Sequence, residues 1–326
     1  MALTYKTKIG IGKEATWGTK TSNWNTLPVN PPTFTPTYDN ILDQGLRGVG
    51  ARDFSVQRGA GQTEATLEGV FYPEELGYLL YGILGSATVT GGTPWTHTFK
   101  LGELTPSFSI EDQVNPGSPG QTPEQIAYDY LGMTMSSLVL RFNAGEGAVG
   151  WTAAFTGKGY GTAAPASLPA VGEGTPSAPL TGWQGSVDFG GVTDYCRLVD
   201  CEWTFAREVV MVHTLHNTQE PYYGYSGPLE VTMRATVEFH TDADLALYRT
   251  GEEFSMKVWL QRGAAATQKS LAIESSKIFF ENAPEIDRGA INVRLNMAMR
   301  ARYDATPGSA TPVTVTLINS KSSYAT

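Results

Sequence analysis

The feature that most constrains this chain is period-two alternation, clearest where Ile291, Val293, Leu295, Met297 and Met299 interleave with Asn292, Arg294, Asn296, Ala298 and Arg300. Successive side chains of an extended backbone point to opposite faces, so such a segment buries one face and wets the other. Val231, Met233, Ala235, Val237 and Phe239 alternate in the same way with Thr232, Arg234, Thr236, Glu238 and His240. Val199, Cys201, Trp203 and Phe205 repeat the pattern, as do Phe254, Met256, Val258 and Leu260. In the first half Leu138, Leu140 and Phe142 do so, and then Trp151, Ala153 and Phe155. Antiparallel sandwiches and barrels have strands of this kind. The expected fold is all-β, with short flanking helices.

One helix is expected in each half. Pro73 opens the first, Glu74 and Glu75 occupy its first turn, and Leu76, Leu79, Leu80, Ile83 and Leu84 form an apolar stripe that Gly85 ends. Thr241 and Asp244 have the spacing of a capping box for the second, which ends at Gly251. Residues 122–131 read as strand, because Ile126, Tyr128 and Tyr130 alternate. Residues 161–182 are rich in Ala, Pro and Gly without periodicity, the composition of a linker or long loop.

The segments on either side of that loop resemble each other. Ala65-Thr66-Leu67-Glu68 before the first helix matches Ala235-Thr236-Val237-Glu238 before the second. Ser107-Phe108-Ser109-Ile110-Glu111 matches Ser270-Leu271-Ala272-Ile273-Glu274, and Gly147-Ala148-Val149 matches Gly289-Ala290-Ile291. The order predicts an internal duplication: a β module with an N-terminal arm in residues 1–160, a connector in 161–182, and a second β module in 183–326.

Composition narrows the function. Hydrophobic residues make up 41% and charged residues 17% of the 326, enough apolar material for a core and too little charge for disorder. A net charge of -9 gives no general attraction to nucleic acid phosphates. The opening Met-Ala-Leu-Thr-Tyr-Lys lacks the apolar run of a signal peptide, and no stretch approaches a membrane span. Cys196 and Cys201, five positions apart on a strand, would lie ~16 Å apart on opposite faces, too far for a disulfide. They read as free thiols from a reducing cytoplasm.

Sites for chemistry are scarce. Cys196, Cys201, His213 and His216 approach zinc-finger spacing, yet four residues separate the cysteines and no helix carries the histidines. Gly224-Tyr225-Ser226-Gly227 lacks nucleophile-elbow spacing, and Gly10-Ile11-Gly12-Lys13 lacks that of a phosphate loop. Glu74-Glu75 and Glu252-Glu253 are explained by a helix start and a turn. Neither a catalytic residue nor a metal or other cofactor is expected. Tyr222, Tyr223 and Tyr225, beside Pro221, suit a subunit contact or a sugar-stacking platform.

Several segments, taken in order, resemble the tail tube (major tail) proteins of long-tailed, siphovirus-type bacteriophages. The carriers are Ile9-Gly10-Ile11-Gly12-Lys13-Glu14-Ala15-Thr16-Trp17-Gly18-Thr19, then Ala65 to Gly69, then Tyr72-Pro73-Glu74-Glu75-Leu76-Gly77-Tyr78-Leu79-Leu80. Trp95 to Phe99, Pro106 to Asp112 and Leu138 to Phe142 continue the likeness. The resemblance implies two tail-tube modules, each a β-sandwich or barrel whose inner strands join neighbours into a ring. Rings stack into a hollow tube, in the virion, that carries DNA. Single-module members form hexamers, so a duplicated chain is expected as a trimer with pseudo-sixfold symmetry. Tape measure, tail terminator and distal tail proteins are the implied partners, the protein is made in the host cytoplasm, and no membrane is involved. Competing readings are a tube protein of a contractile injection system or phage-tail-like bacteriocin, and a carbohydrate-binding β-sandwich suggested by seven tryptophans and fifteen tyrosines.

Two site expectations follow. Tyr5, Ile9, Ile11 and Trp17 give residues 4–19 apolar groups that a docking arm would use. The polar faces of 231–239 and 291–300 are the candidate lumen wall, with Arg234, Arg294 and Arg300 offset by Glu230, Glu238 or Glu202 and with Asn296 between them.

Overall fold

The computed structural model describes residues 7–45, 47–114, 126–145, 147–168, 178–289, 291–306 and 310–324. The first half contains β1 (Lys8–Lys13), β2 (Asn25–Leu27), β3 (Thr33–Asp43), β4 (Ser55–Val70), α1 (Gly77–Leu84), β5 (Gly85–Gly91), β6 (Trp95–Leu101), β7 (Ser107–Val114), β8 (Ile126–Asn143), β9 (Gly150–Gly157) and β10 (Tyr160–Ala163). The second contains β11 (Gly185–Phe189), β12 (Leu198–Val212), β13 (Tyr223–Glu238), α2 (Ala243–Thr250), β14 (Phe254–Arg262), β15 (Lys269–Phe280), β16 (Glu285–Asp287), β17 (Arg294–Ala301) and β18 (Thr314–Asn319). All strand pairs are antiparallel and link into one hydrogen-bonded network, so the fold is all-β with two short helices.

The alternating segments become strands because each can bury one full row. Leu295, Met297 and Met299 are buried on β17, Val231, Met233, Ala235 and Val237 on β13, and Cys201, Trp203 and Phe205 on β12. Ile291 and Val293 depart from the expectation: both are exposed, Val293 by 38%. Ladder pairing begins only at Arg294, opposite Glu238, so both residues precede the strand, although the Val293 carbonyl still accepts from the Phe239 amide at 3.0 Å.

Both helices end as read. Gly85 and Gly251 hold left-handed φ values of 85° and 66°, and a Cβ at Gly85 would lie 2.5 Å from the Leu104 carbonyl oxygen. Their starts differ from the reading. Residues 73–76 form turns and the helix begins at Gly77. At α2 the N-cap is Asp242 with no side-chain cap bond. Asp244 is buried and taken by the Arg197 guanidinium at 2.9 Å and the Tyr195 hydroxyl at 2.9 Å. The buried ion pair outcompetes the cap.

The pairing scheme occurs twice. In the first half β1 pairs with β7, β3 with β4, β4 with β9, β7 with β8, and β8 with β9 and β10. In the second β11 pairs with β14, β12 with β13, β13 with β17, β14 with β15, and β15 with β17 and β18. The registers coincide too: Ala65 faces Phe155 and Ala235 faces Met297, at the offsets of the first and third sequence matches. The second match does not hold, since Ser107 lies on β7 and Ser270 on β15, whose counterpart by pairing is β8.

Two bonds of the network cross between halves. β8 pairs with β12, from Asn143 opposite Asp200 to Ser137 opposite Ala206, and β18 pairs with β6. Buried Arg207 of β12 donates to the carbonyl oxygens of Leu84 and Gly102, each at 3.4 Å, next to the C-terminus of α1 where a cation is favoured. One continuous apolar core results, from Ile11 and Leu67 to Val258 and Leu317.

The C-terminal residues clasp the first half. The Tyr324 hydroxyl donates to the Glu74 carbonyl at 2.7 Å, and Asn319 Nδ2 donates to the Pro73 carbonyl at 2.6 Å. Lys321 Nζ donates to Asn25 Oδ1 at 2.8 Å and sits 4.4 Å from the Tyr78 ring centre. Burial, reinforced by Glu74, pushes the Glu75 carboxyl up to about 7. Burial pulls Lys321 down to about 8 against the attraction of Glu75 and Glu74.

Leu295→Ala should lower stability by ~2–5 kcal/mol in denaturant titration, because Leu295 is fully buried and its neighbours close the gap only partly. The clasp adds a pH signature. Glu75 titrates higher folded than unfolded, so its stabilising contribution is complete below its ordinary value of 4.5 and is lost as pH rises to about 7. Melting temperatures of wild type minus Glu75→Gln should therefore fall across that window; a flat difference throughout would refute the clasp chemistry.

Candidate functional site

The sheet that runs through both halves has strand order β3-β4-β9-β8-β12-β13-β17-β16. One face carries the core rows. The other alternates with it and is half-buried or exposed along its length. Across the middle, this open face reads Arg141 opposite Glu202, Glu202 opposite Arg234, and Arg234 opposite Ala298. The next row runs Glu68, Thr152, Val139, Thr204, Thr232, Arg300. A third runs Asn143, Asp200, Thr236, Asn296, Glu285, and a fourth Glu238, Arg294, Asp287.

The arginines of this face lie near carboxylates, and two of them, Arg300 and Arg141, are ion-paired. Arg300 bonds Glu230 at 2.7 Å and Glu281 at 2.5 Å, and Arg141 bonds Glu202 at 2.9 Å. Arg234 lies opposite Glu202, and Arg294 lies between Glu238 and Asp287. Asn296 Oδ1 accepts from the Thr236 hydroxyl at 3.2 Å. Glu64, Glu68, Asp200, Glu202, Glu230, Glu238, Glu285 and Asp287 outnumber Arg141, Arg234, Arg294 and Arg300. The face is acidic and polar, with Val139 and alanines such as Ala298 as apolar exceptions.

Two hairpins rise from one end of the sheet. The β3–β4 hairpin exposes Ile41, Leu42 and Val56, and the β12–β13 hairpin exposes Val210, Leu215, Tyr222 (64%) and Tyr225 (57%). They touch: the Gly61 amide donates to the Gln219 carbonyl at 2.8 Å, and Gln219 Nε2 donates to the Arg58 carbonyl at 2.8 Å. Tyr223 is turned inward, 5.3 Å from the Trp17 ring.

The N-terminal candidates divide. Tyr5 lies outside the described residues. Ile9 (3% exposed) and Ile11 (0%) belong to β1, held between β2 and β7, so their apolar surface is covered by this chain itself rather than offered to a docking site. Trp17 follows a buried anchor invisible to periodicity. The Glu14 carboxylate accepts from the amides of Gly18 (2.7 Å) and Gly132 (2.8 Å) and from the hydroxyls of Ser107 (2.7 Å) and Ser109 (3.0 Å). Lys20, bonded to Glu111 at 2.9 Å and Asp129 at 2.7 Å, extends this pinning. A charged residue beside an apolar strand was the only sequence signal.

Cys196 and Cys201 are unpaired, one exposed and one buried. Among the described residues no group of three or more His, Cys, Asp or Glu could hold a metal, and no helix is long and apolar enough to cross a membrane.

The described residues thus form an antiparallel sheet with one packed face, one polar face and projecting apolar hairpins. Residues 4–317 match the family model described as phage tail tube protein. The chain belongs to that family: it is a structural tail tube protein of the virion. Comparison with curated proteins gives no significant match.

The open face and the Glu14 anchor should respond differently to mutation. Glu202→Gln should cost under ~1 kcal/mol, since its pair with Arg141 is solvent-accessible. Glu14→Ala should cost at least ~2 kcal/mol by leaving buried donors unsatisfied. Urea midpoints of the two variants test the ranking, and equal losses would contradict it.

Proposed function

We propose that three copies of this chain close into a ring with pseudo-sixfold symmetry and that rings stack into the hollow conduit through which DNA leaves the capsid. The supporting modules are residues 1–160 and 183–326, joined by 161–182. The observation that carries the reading is the single sheet spanning both halves, whose open face is polar and acidic. Curved about an axis, that face becomes the lumen wall, with Arg234, Glu238, Arg294, Asn296 and Arg300 in it.

The mechanism is electrostatic restraint. Duplex DNA presents one negative charge per ~1.7 Å, so a basic bore would hold it through many weak contacts at once. Arg141 and Arg300 already share carboxylates, and the acidic residues that outnumber the arginines repel an approaching phosphate. Threonine hydroxyls keep the wall wetted without fixed positive charge. The exposed Tyr222 and Tyr225, with Ile41 and Leu42 of the companion hairpin, supply apolar contacts for ring stacking. Tape measure, terminator and distal tail proteins would occupy the inside and the two ends of the tube.

Negative-stain micrographs of concentrated protein should show rings and tubes, and mass measurement of isolated rings should give three chains. Assembled tubes should fail to retain duplex DNA at moderate salt. A chain that stays monomeric at every concentration would overturn the assembly, and tight DNA retention would overturn the acidic-wall mechanism.

A further inference from the structure

The strand seam inside the chain supplies a template for the seam between chains. Among the described residues, β3 pairs only with β4 and β16 only with β17, so the through-sheet ends at these strands. An unpaired strand edge presents backbone N–H and C=O groups that another strand can satisfy. The recurring registers identify what these edges are. Phe34 faces Ala65 as Cys201 faces Ala235, which makes β3 the counterpart of β12. Val139 faces Thr152 as Asp287 faces Arg294, which makes β16 the counterpart of the C-terminal part of β8. Those counterparts, β8 and β12, are the two strands already joined within the chain.

We infer that β16 of one copy pairs antiparallel with β3 of a second copy in the register of the internal seam, with Asp287 opposite Thr37 and Ile286 opposite Tyr38. The inference rests on the ring reading above and specifies its contact. Within the chain Val139 lies opposite Thr204 and Leu138 opposite Phe205; the transposed pairs keep the same faces. Ile286 and Tyr38, half-buried and on the core side, form an apolar pair as Leu138 and Phe205 do. Asp287 and Thr37 fall on the open face and continue its polar rows across the boundary. A seam of this sort repeats without limit unless curvature closes it, so the partner is another copy of this chain.

The test uses full-length Thr37→Cys/Asp287→Cys in a Cys196→Ser background, oxidised after assembly. Non-reducing gels should lose the monomer band to two-chain and three-chain species. Thr33→Cys/Asp287→Cys, displaced by four residues on the same face, should stay unlinked. Wild-type protein provides a second measurement: amide hydrogen exchange in residues 33–39 and 285–289 should slow on assembly. Tubes that form without the link and without that protection, or that link only through the displaced pair, overturn the seam while leaving the tube intact. Protein that never assembles overturns the tube reading and the seam with it.

Discussion

Backbone hydrogen bonding between β8 and β12 is the interaction on which the rest of the structure depends. A strand with one free flank leaves every second residue's N–H and C=O to water, and the C-terminal part of β8 would be such an edge without β12. With the seam closed, β8 becomes a central strand, flanked by β9 and β10 on one side and by β7 and β12 on the other. Phe142, Leu140 and Leu138 then meet Cys201, Trp203 and Phe205 pair by pair, which merges two potential cores into one. The cost of an unsatisfied ladder and the gain from buried apolar rows act in the same direction.

Buried polar groups determine how the surrounding elements dock on that sheet. Glu14 closes a loop over β7 and β8, Asp244 orients α2 through Arg197 and Tyr195, and Arg207 ties β12 to the end of α1. Each is a charge removed from water that tolerates burial only where its partners are placed to receive it. Hydrophobic contact alone would allow several similar packings of small all-β layers; these directional bonds admit one. The cost appears at Glu75 and Lys321, where burial opposes the charged form of both groups.

The open face follows from the same alternation viewed from the other side. Residues released from packing on β12, β13 and β17 are Thr, Glu, Asp, Arg, Asn and Ala, and their charges meet across strands rather than along them. An excess of carboxylates around these arginines leaves the face without the net positive charge that would hold a polyanion. Such a surface suits the inner wall of a conduit and makes poor material for a groove that must hold a ligand. Ile41, Leu42, Val56, Val210, Leu215, Tyr222 and Tyr225, all exposed, gather instead on the two hairpins at one end.

Strand faces and helix ends were legible in the sequence because their physical causes are local. Alternation reports which side of a strand is buried, so Leu295, Met297, Trp203 and Val237 could be placed in the core from spacing alone, and Gly85 and Gly251 marked helix ends because only glycine adopts their backbone angles easily. The repeat was legible where matched segments kept one register, at Ala65 and Ala235, and misleading at Ser107 and Ser270, where short strands look alike by chance. Tertiary structure decided the rest. Whether Ile9 and Ile11 form a free arm or an internal strand depends on β2 and β7 being there to receive them; the exposure of Val293 depends on where its neighbour strand stops. The β8–β12 seam leaves no local trace, because pairing between strands some sixty residues apart is chosen by register, curvature and the edges left free, which exist only once the chain has folded.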